Sequence, residues 1–292
     1  MKGQRWLGPA MFMPAIFYIV ALVGVPFVMA FVYSVGDVKI GSEGYHFVGL
    51  HNFISVLKSP TFPHAVKNSI IFTISSQILV LIGANILALA LKEAFPGRRF
   101  MRFLILLPWV APVSIGSIGW KWILDSVYSV VNWVLVRMHF VKEFDAPVWL
   151  GIPKLAMISV ILVHTWHMLP FATVIILAGL TAIPRDIPEA AAVDGAGFFR
   201  TLFQITIPMM LPIINVAMLF GVIFTFTDMT VIYILTRGGP FDSTQVIPSL
   251  AFFTGILGSD LAEGAAISIF MVPLLVIVSY FVLRTAHRAE VT

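Results

Sequence analysis

One acidic residue of this 292-residue chain lies inside an otherwise uncharged apolar run: Asp228, preceded by Thr201 to Thr227 and followed by Met229 to Thr236. A charged group at mid-membrane depth costs about 2.5 to 3.5 kcal/mol even on the lenient insertion scale, so Asp228 must face a wet cavity or a partner. Two roles are open to it. Its carboxylate can accept hydrogen bonds from the hydroxyls of a solute such as a sugar, with Thr227 and Tyr233 on the same path. Alternatively it sits nearer the end of the run, bonded to Thr225, Thr227 or another helix. His164 and His167, in HTWHMLP, invite a metal reading, but a spacing of three without an accompanying carboxylate is weak and no HExxH occurs. They read as structural histidines of a polar lumen, and no metal site is expected. Trp166 between them is a candidate for stacking on a sugar ring. Asn85, Asn215 and Gln77 are further polar candidates, although amides often hold membrane helices together.

A second group of residues is polar for a different reason. In RDIPEAAAVDGAG, from Arg185 to Gly197, Asp186 can cap a helix whose third position is Glu189, with Pro188 in the first turn. Ala190, Ala191 and Ala192 continue that helix, and Gly195 and Gly197 stop it or let it turn. Phe198, Phe199, Leu202 and Phe203 then form an apolar stripe before Pro208 and Pro212, which mark the entry to the next span. Such a segment is either a capped linker or a rigid projection whose small residues let another backbone approach closely. The RGGP turn at Arg237–Pro240 is no phosphate loop, since GxxxxGK[ST] occurs nowhere in the chain. It reads as a turn in which Gly238 and Gly239 relax the backbone and Pro240 restricts the path of the chain beyond them.

The elements that position these residues are membrane spans. Hydrophobic residues make up 59% of the chain and charged ones 11%, against about 25% charged in a soluble domain. The absence of cysteine excludes disulfides, thiolate metal sites and cysteine nucleophiles. Uncharged runs long enough to cross a bilayer as helix occur at Trp6 to Gly36, Asn68 to Leu91, Phe103 to Trp120, Leu155 to Pro184, Thr201 to Thr236 interrupted at Asp228, and Ala265 to Leu283. The first is too long for a signal-peptide core and reads as an uncleaved span. None shows the ten-residue alternation of a membrane barrel. The expected class is all-α, a polytopic bundle of six helices, with a short surface helix within Ser126 to Val136.

Assigning connections to alternate sides places ten basic and five acidic residues on one side, among them Lys2, Arg5, Arg98, Arg99, Arg102, Arg200 and Arg288, and eight of each on the other. Basic residues accumulate on the cytoplasmic face, so both termini and the Glu189 segment are expected there.

At this point the residues resemble a known family. Glu189, Ala190, Ala191, Gly195, Ile205, Ile207 and Pro208 fit the EAA loop of binding-protein-dependent ABC importer permeases, written EAA, three residues, G, nine residues, I, one residue, LP, with isoleucine for leucine at Ile207. Asp194 and Ala196 complete its common DGA. GLHNF at Gly49 to Phe53, AGLTAIP at Ala178 to Pro184, ILTRGGP at Ile234 to Pro240 and LAEGAAIS at Leu261 to Ser268 resemble further motifs of the maltose-type carbohydrate branch, in that branch's order.

The resemblance implies a non-catalytic permease subunit with the type I ABC importer fold, in a bacterial or archaeal plasma (inner) membrane. Residues 1–65 would hold the first transmembrane helix and an outer connection, 66–285 the permease core with its coupling helix near 186–200, and 286–292 a cytoplasmic tail. The implied partners are a second, homologous permease completing a heterodimeric pore, two ATP-binding subunits, an extracytoplasmic solute-binding protein, a sugar and membrane lipid, with no nucleic acid. No cofactor belongs to this chain; ATP and Mg²⁺ belong to the ATPase, which would grip Glu189, Ala190, Ala191, Asp194, Gly195, Ala196, Ile205 and Pro208. A permease for glycerol phosphate or a polyol is the nearest alternative. A secondary transporter would be expected to show paired repeats and more intramembrane carboxylates, and a membrane enzyme a cluster of ionisable groups at one depth.

Overall fold

The computed structural model describes residues 7–42 and 44–291, with side chains described from residue 11 to residue 284. Lys2, Arg5, Trp6 and Glu43 therefore lie outside the described residues, as do the side chains of Arg288 and Glu290 and the last residue of the 286–292 tail. The regular structure of the described residues is helical, apart from a two-residue ribbon pairing β1 (Gly36–Asp37) with β2 (His46–Phe47) and one isolated bridge. Among the described residues, five helical stretches are long and apolar enough to cross a membrane, six if one sharply bent pair is a single span.

The first compact unit comprises residues 1–63 and 250–273. Helices α1 (Leu7–Ile19) and α2 (Val25–Ser34) form one span through a π-turn at Val20–Gly24. That wider turn lets the Val25 amide reach the Val20 carbonyl just ahead of Pro26, which has no amide to offer. The end of α2 is tied down by Asn52 of α3 (His51–Lys58), whose side-chain amide donates to the carbonyls of Ser34 at 2.9 Å and Gly36 at 2.7 Å. The asparagine of the GLHNF motif is thus a C-cap supplied from a distance.

The second unit comprises residues 64–249 and 274–292, and its axis is α8 (Pro153–Ala182), half of whose most apolar stretch is buried. Most of α4 (Thr61–Lys92) packs on it through Phe72, Val80, Ala84 and Ala88, with Met168, Ala172, Ile176 and Leu180 facing them. The fifth span follows as α10 (Phe198–Thr201), a π-turn, α11 (Ile207–Thr227) and, beyond a break, α12 (Thr230–Leu235). Gly179 of the AGLTAIP motif lies against Ile213, where an added Cβ would come within 2.8 Å of Cδ1. The expected surface helix is α7 (Val130–Arg137), N-capped by Ser129. The last elements are α13 (Ile247–Phe252), α14 (Leu261–Ile269) and α15 (Met271–Val291).

The third run departs from expectation. Instead of one straight span over Phe103 to Trp120, α5 (Arg98–Val110) and α6 (Val113–Ile123) meet at 94°. Pro112 causes the break: it forces Ala111 into an extended conformation (φ −66°, ψ 139°) and offers no amide to the carbonyl four residues earlier, that of Pro108.

Candidate functional site

The Glu189 segment forms α9 (Asp186–Val193), whose helical packing is mainly on the neighbouring α10. Asp186 does not cap it as expected. The N-cap position falls on Arg185, which makes no side-chain cap bond, and Asp186 and Glu189 instead place their charge in the first turn, where the helix dipole favours it. The C-terminus closes as the glycine chemistry predicts. Gly195 takes a left-handed φ of +76°, its amide reaches the Ala192 carbonyl at 3.1 Å, and the Ala196 amide reaches Ala191 at 2.9 Å, a Schellman motif. Within α9 only Ala191 is buried; Glu189, Ala190, Ala192 and Val193 are exposed, as are Asp194 and Gly195 beyond it.

Pro208 does not mark a new start, contrary to expectation. Phe198 begins a helix that continues through a π-turn at Leu202–Thr206 directly into α11, with the Ile207 amide bonded to the Leu202 carbonyl. The wider turn accommodates Pro208 without ending the helix. Ile205 and Pro208 lie in and just after that turn, Ile205 half-buried and Pro208 exposed, while Phe198, Phe199 and Phe203 are largely exposed.

At the other end of the fifth span, Asp228 occupies the break between α11 and α12. Its Oδ1 accepts the Thr230 amide at 2.8 Å and so caps α12. Its Oδ2 lies 3.3 Å from Nδ1 of His164, which is buried in α8 and also meets the Thr225 hydroxyl through Nε2 at 3.0 Å. The histidine thus has the carboxylate neighbour that its own stretch of sequence lacks. With 21% of the side chain still exposed, Asp228 keeps acceptor capacity for an incoming group.

His167, one turn further along α8, does something else. Its Nδ1 bonds the Pro108 carbonyl at 2.8 Å, and a carbonyl can only accept, so His167 donates in place of the amide that Pro112 lacks. Its ring stacks on Trp109, which stacks in turn on Phe171. Phe224 of α11 adds an edge to Phe171.

Of the remaining predicted residues, Thr227, Asn85 and Trp166 make their described contacts away from the Asp228 carboxylate. Thr227 donates to its own helix at Ile223 (2.8 Å), and Asn85 to Leu81 (2.8 Å). Trp166 packs edge-on against Trp120 and within 3.3 Å of where a Gly116 Cβ would sit. Tyr233 lies half-buried on α12. Residues that the sequence does not single out, Trp109, Phe171 and Phe224, extend the aromatic stack; Trp109 directly after Pro108 and Phe171 directly after Pro170 are the only local signal. Among the described residues no group of three or more metal-ligating side chains converges.

The profile of the family described as "binding-protein-dependent transport system inner membrane component" matches residues 80–289. The chain is 37% identical to the trehalose/maltose transport system permease protein of Thermococcus litoralis, over 76% of this chain and 74% of that one. It is 32% identical to the sulfoquinovosyl glycerol transport system permease protein of Agrobacterium fabrum, over 84% and 78%. Its fold is similar to that of a chain in a bacterial ABC transporter involved in import of the polysaccharide alginate, with a TM-score of 0.83, 21% identity, and 98% and 96% of the two chains covered. This chain belongs to the family of binding-protein-dependent transport system inner membrane components, the multi-pass, non-catalytic permease subunits of ABC importers.

Proposed function

We propose that this permease carries a carbohydrate and forms half of the translocation pore beside a second, homologous permease. Two ATPase subunits work from the side of α9, and a solute-binding protein delivers substrate at the opposite face. Relatives named for trehalose and maltose, diacetylchitobiose and sulfoquinovosyl glycerol favour hydroxyl-rich solutes. Both termini lie in the cytoplasm on this reading, following the excess of basic residues on that side. Residues 66–285 act as the permease core, with 1–65 an added first span.

The observation that carries the reading is α9 itself: a short helix with a rigid glycine-closed end, four exposed residues in its last five positions, and exposed Phe198 and Phe199 just beyond. Glu189, Ala190, Asp194, Gly195 and Ala196 form the surface an ATPase would grip, with Ala191 buried beneath them, and Ile205 and Pro208 lie where α10 passes that motion into α11. Closure of the ATPases on ATP would move α9 and exchange two packings of the spans, inward-facing and outward-facing. Asp228, backed by His164, is the group on this chain best suited to receive solute hydroxyls, with Thr227, Tyr233, Trp166 and Asn85 as lesser contributors.

Glu189→Lys tests the coupling. The variant should insert and assemble normally while binding-protein-stimulated ATPase activity and uptake fall at least tenfold; wild-type values of both would remove α9 from the coupling role. Asp228→Asn tests the path, because it keeps the cap on α12 and removes the charge. Uptake should change in KM at unchanged complex yield, and an unaltered uptake curve would leave Asp228 a structural cap only.

A further inference from the structure

The turn joining α4 to α5, KEAFPGRRFMR at Lys92–Arg102, has a chemistry that the transport reading does not use. Three arginines fall within five residues, and they are not equivalent. Arg98 donates to the carbonyls of Lys92 at 3.2 Å and Glu93 at 3.3 Å, and Arg102 to that of Leu91 at 3.0 Å, so both close the C-terminus of α4. Arg102 still has its Nε buried and unmatched. Arg99 is exposed and, among the described residues, makes no hydrogen bond or ion pair. Glu93, the one carboxylate of the segment, is exposed and pairs with none of the three.

The start of α5 adds to this charge. Its N-cap is Gly97, left-handed at φ +84° with open space around it, and neither a side-chain cap nor an acidic residue serves the first turn. The amides of Arg99 and Phe100 are among those that a helix cannot satisfy internally. Positive charge and free donors therefore coincide at one helix end. Arg99 and Arg102, three residues apart, share a face of α5. Beside them Phe100 and Phe103 are 63% and 59% exposed, which a soluble anion would have no use for.

We propose that this turn binds the headgroup phosphate of an anionic phospholipid. Arg99, Arg102 and the open first turn of α5 hold the phosphate, and the acyl chains lie along Phe100 and Phe103. Charge favours an acidic headgroup over a zwitterionic one, and the exposed rings favour a lipid over free phosphate. A lipid there would brace the bent α5–α6 pair at the end remote from its break.

The test uses the full chain purified in its transporter complex and exposed to equal amounts of phosphatidylglycerol and phosphatidylcholine, with bound lipid counted by native mass spectrometry. A basic side chain near an anionic surface contributes enough for about fivefold in affinity. Phosphatidylglycerol should therefore be retained preferentially, and Arg99→Gln should cut that preference about fivefold while Arg99→Lys keeps most of it. Arg99 makes no internal bond, so its variants should melt at the wild-type temperature; Arg102→Gln serves as a second variant only if its melting is also unchanged. Equal retention of the two lipids, or an Arg99→Gln complex with undiminished preference, overturns the proposal. So does protection by inorganic phosphate in lipid-free detergent that Arg99→Gln abolishes while leaving phosphatidylglycerol retention intact, which would make this a free-anion site. Loss of the ATPase subunit from Arg99→Gln at unchanged lipid retention would make it a protein contact and overturn the proposal equally.

Discussion

The two ends of the fifth span are both glycine turns, and they are built for opposite purposes. After α12, the turn from Thr236 to Gln245 is bonded inward at nearly every step. The Thr244 hydroxyl meets Thr236 at 2.7 Å and the Gly239 carbonyl at 2.8 Å, the Thr244 amide reaches Gly238, and Asn68 of α4 donates to the carbonyls of Asp242 and Gln245. Gly238 is left-handed at φ +85°, and a Cβ there would collide with the Gln245 side chain. Before α10, Gly195 is also left-handed, yet nothing lies within 4 Å of where its Cβ would be. One turn is locked to its own chain; the other keeps its surface unoccupied. A turn bonded back onto its own chain holds a span still, and an exposed rigid one hands its surface to something else.

That contrast can be broken by substitution. Gly238→Ala combines left-handed strain with a clash and should cost about 3 kcal/mol, read as a lowered melting temperature and reduced complex yield. Thr244→Val keeps the shape of a fully buried residue but leaves the Gly239 carbonyl without its hydroxyl donor, while the Thr236 hydroxyl keeps Ile232 and Gly238; the loss is about 2 kcal/mol by the same measurement. Gly195→Ala meets no neighbour, so only the strain of about 1 kcal/mol remains. If Gly195→Ala destabilised the complex as much as Gly238→Ala, the open turn would be a packed one and the comparison would fail.

How much of this can be read in advance depends on the range of the interaction. The apolar runs, the α9 helix and its glycine stop are local, and periodicity with capping chemistry locates them to within a few residues. The exceptions are also local but involve proline: Pro112 bends the third run, whereas Pro208 is absorbed by a π-turn. Sequence reasoning expects the reverse, because proline's effect depends on what serves the carbonyl four residues earlier. Asp228 is recognisable as an anomaly. Its partner is not, since His164 lies 64 residues away and only the packing of α8 against α11 brings them together. Thr227 and Asn85 stand in the sequence as lesser polar candidates beside Asp228, and their bonds are spent on their own helices.

The bend between α5 and α6 has a consequence for exchanging parts between homologous permeases. Pro112 strands a carbonyl at residue 108, and the donor that rescues it is His167, on a different span. A chimera that grafts in the third span from a relative with an unbroken helix would leave His167 facing a carbonyl already satisfied. One that grafts in a fourth span lacking the histidine would leave a bare carbonyl in hydrocarbon. The two spans are therefore a single transplantable piece, and crossover points that separate residue 112 from residue 167 should produce transporters that fail to accumulate even when every motif along the chain is intact.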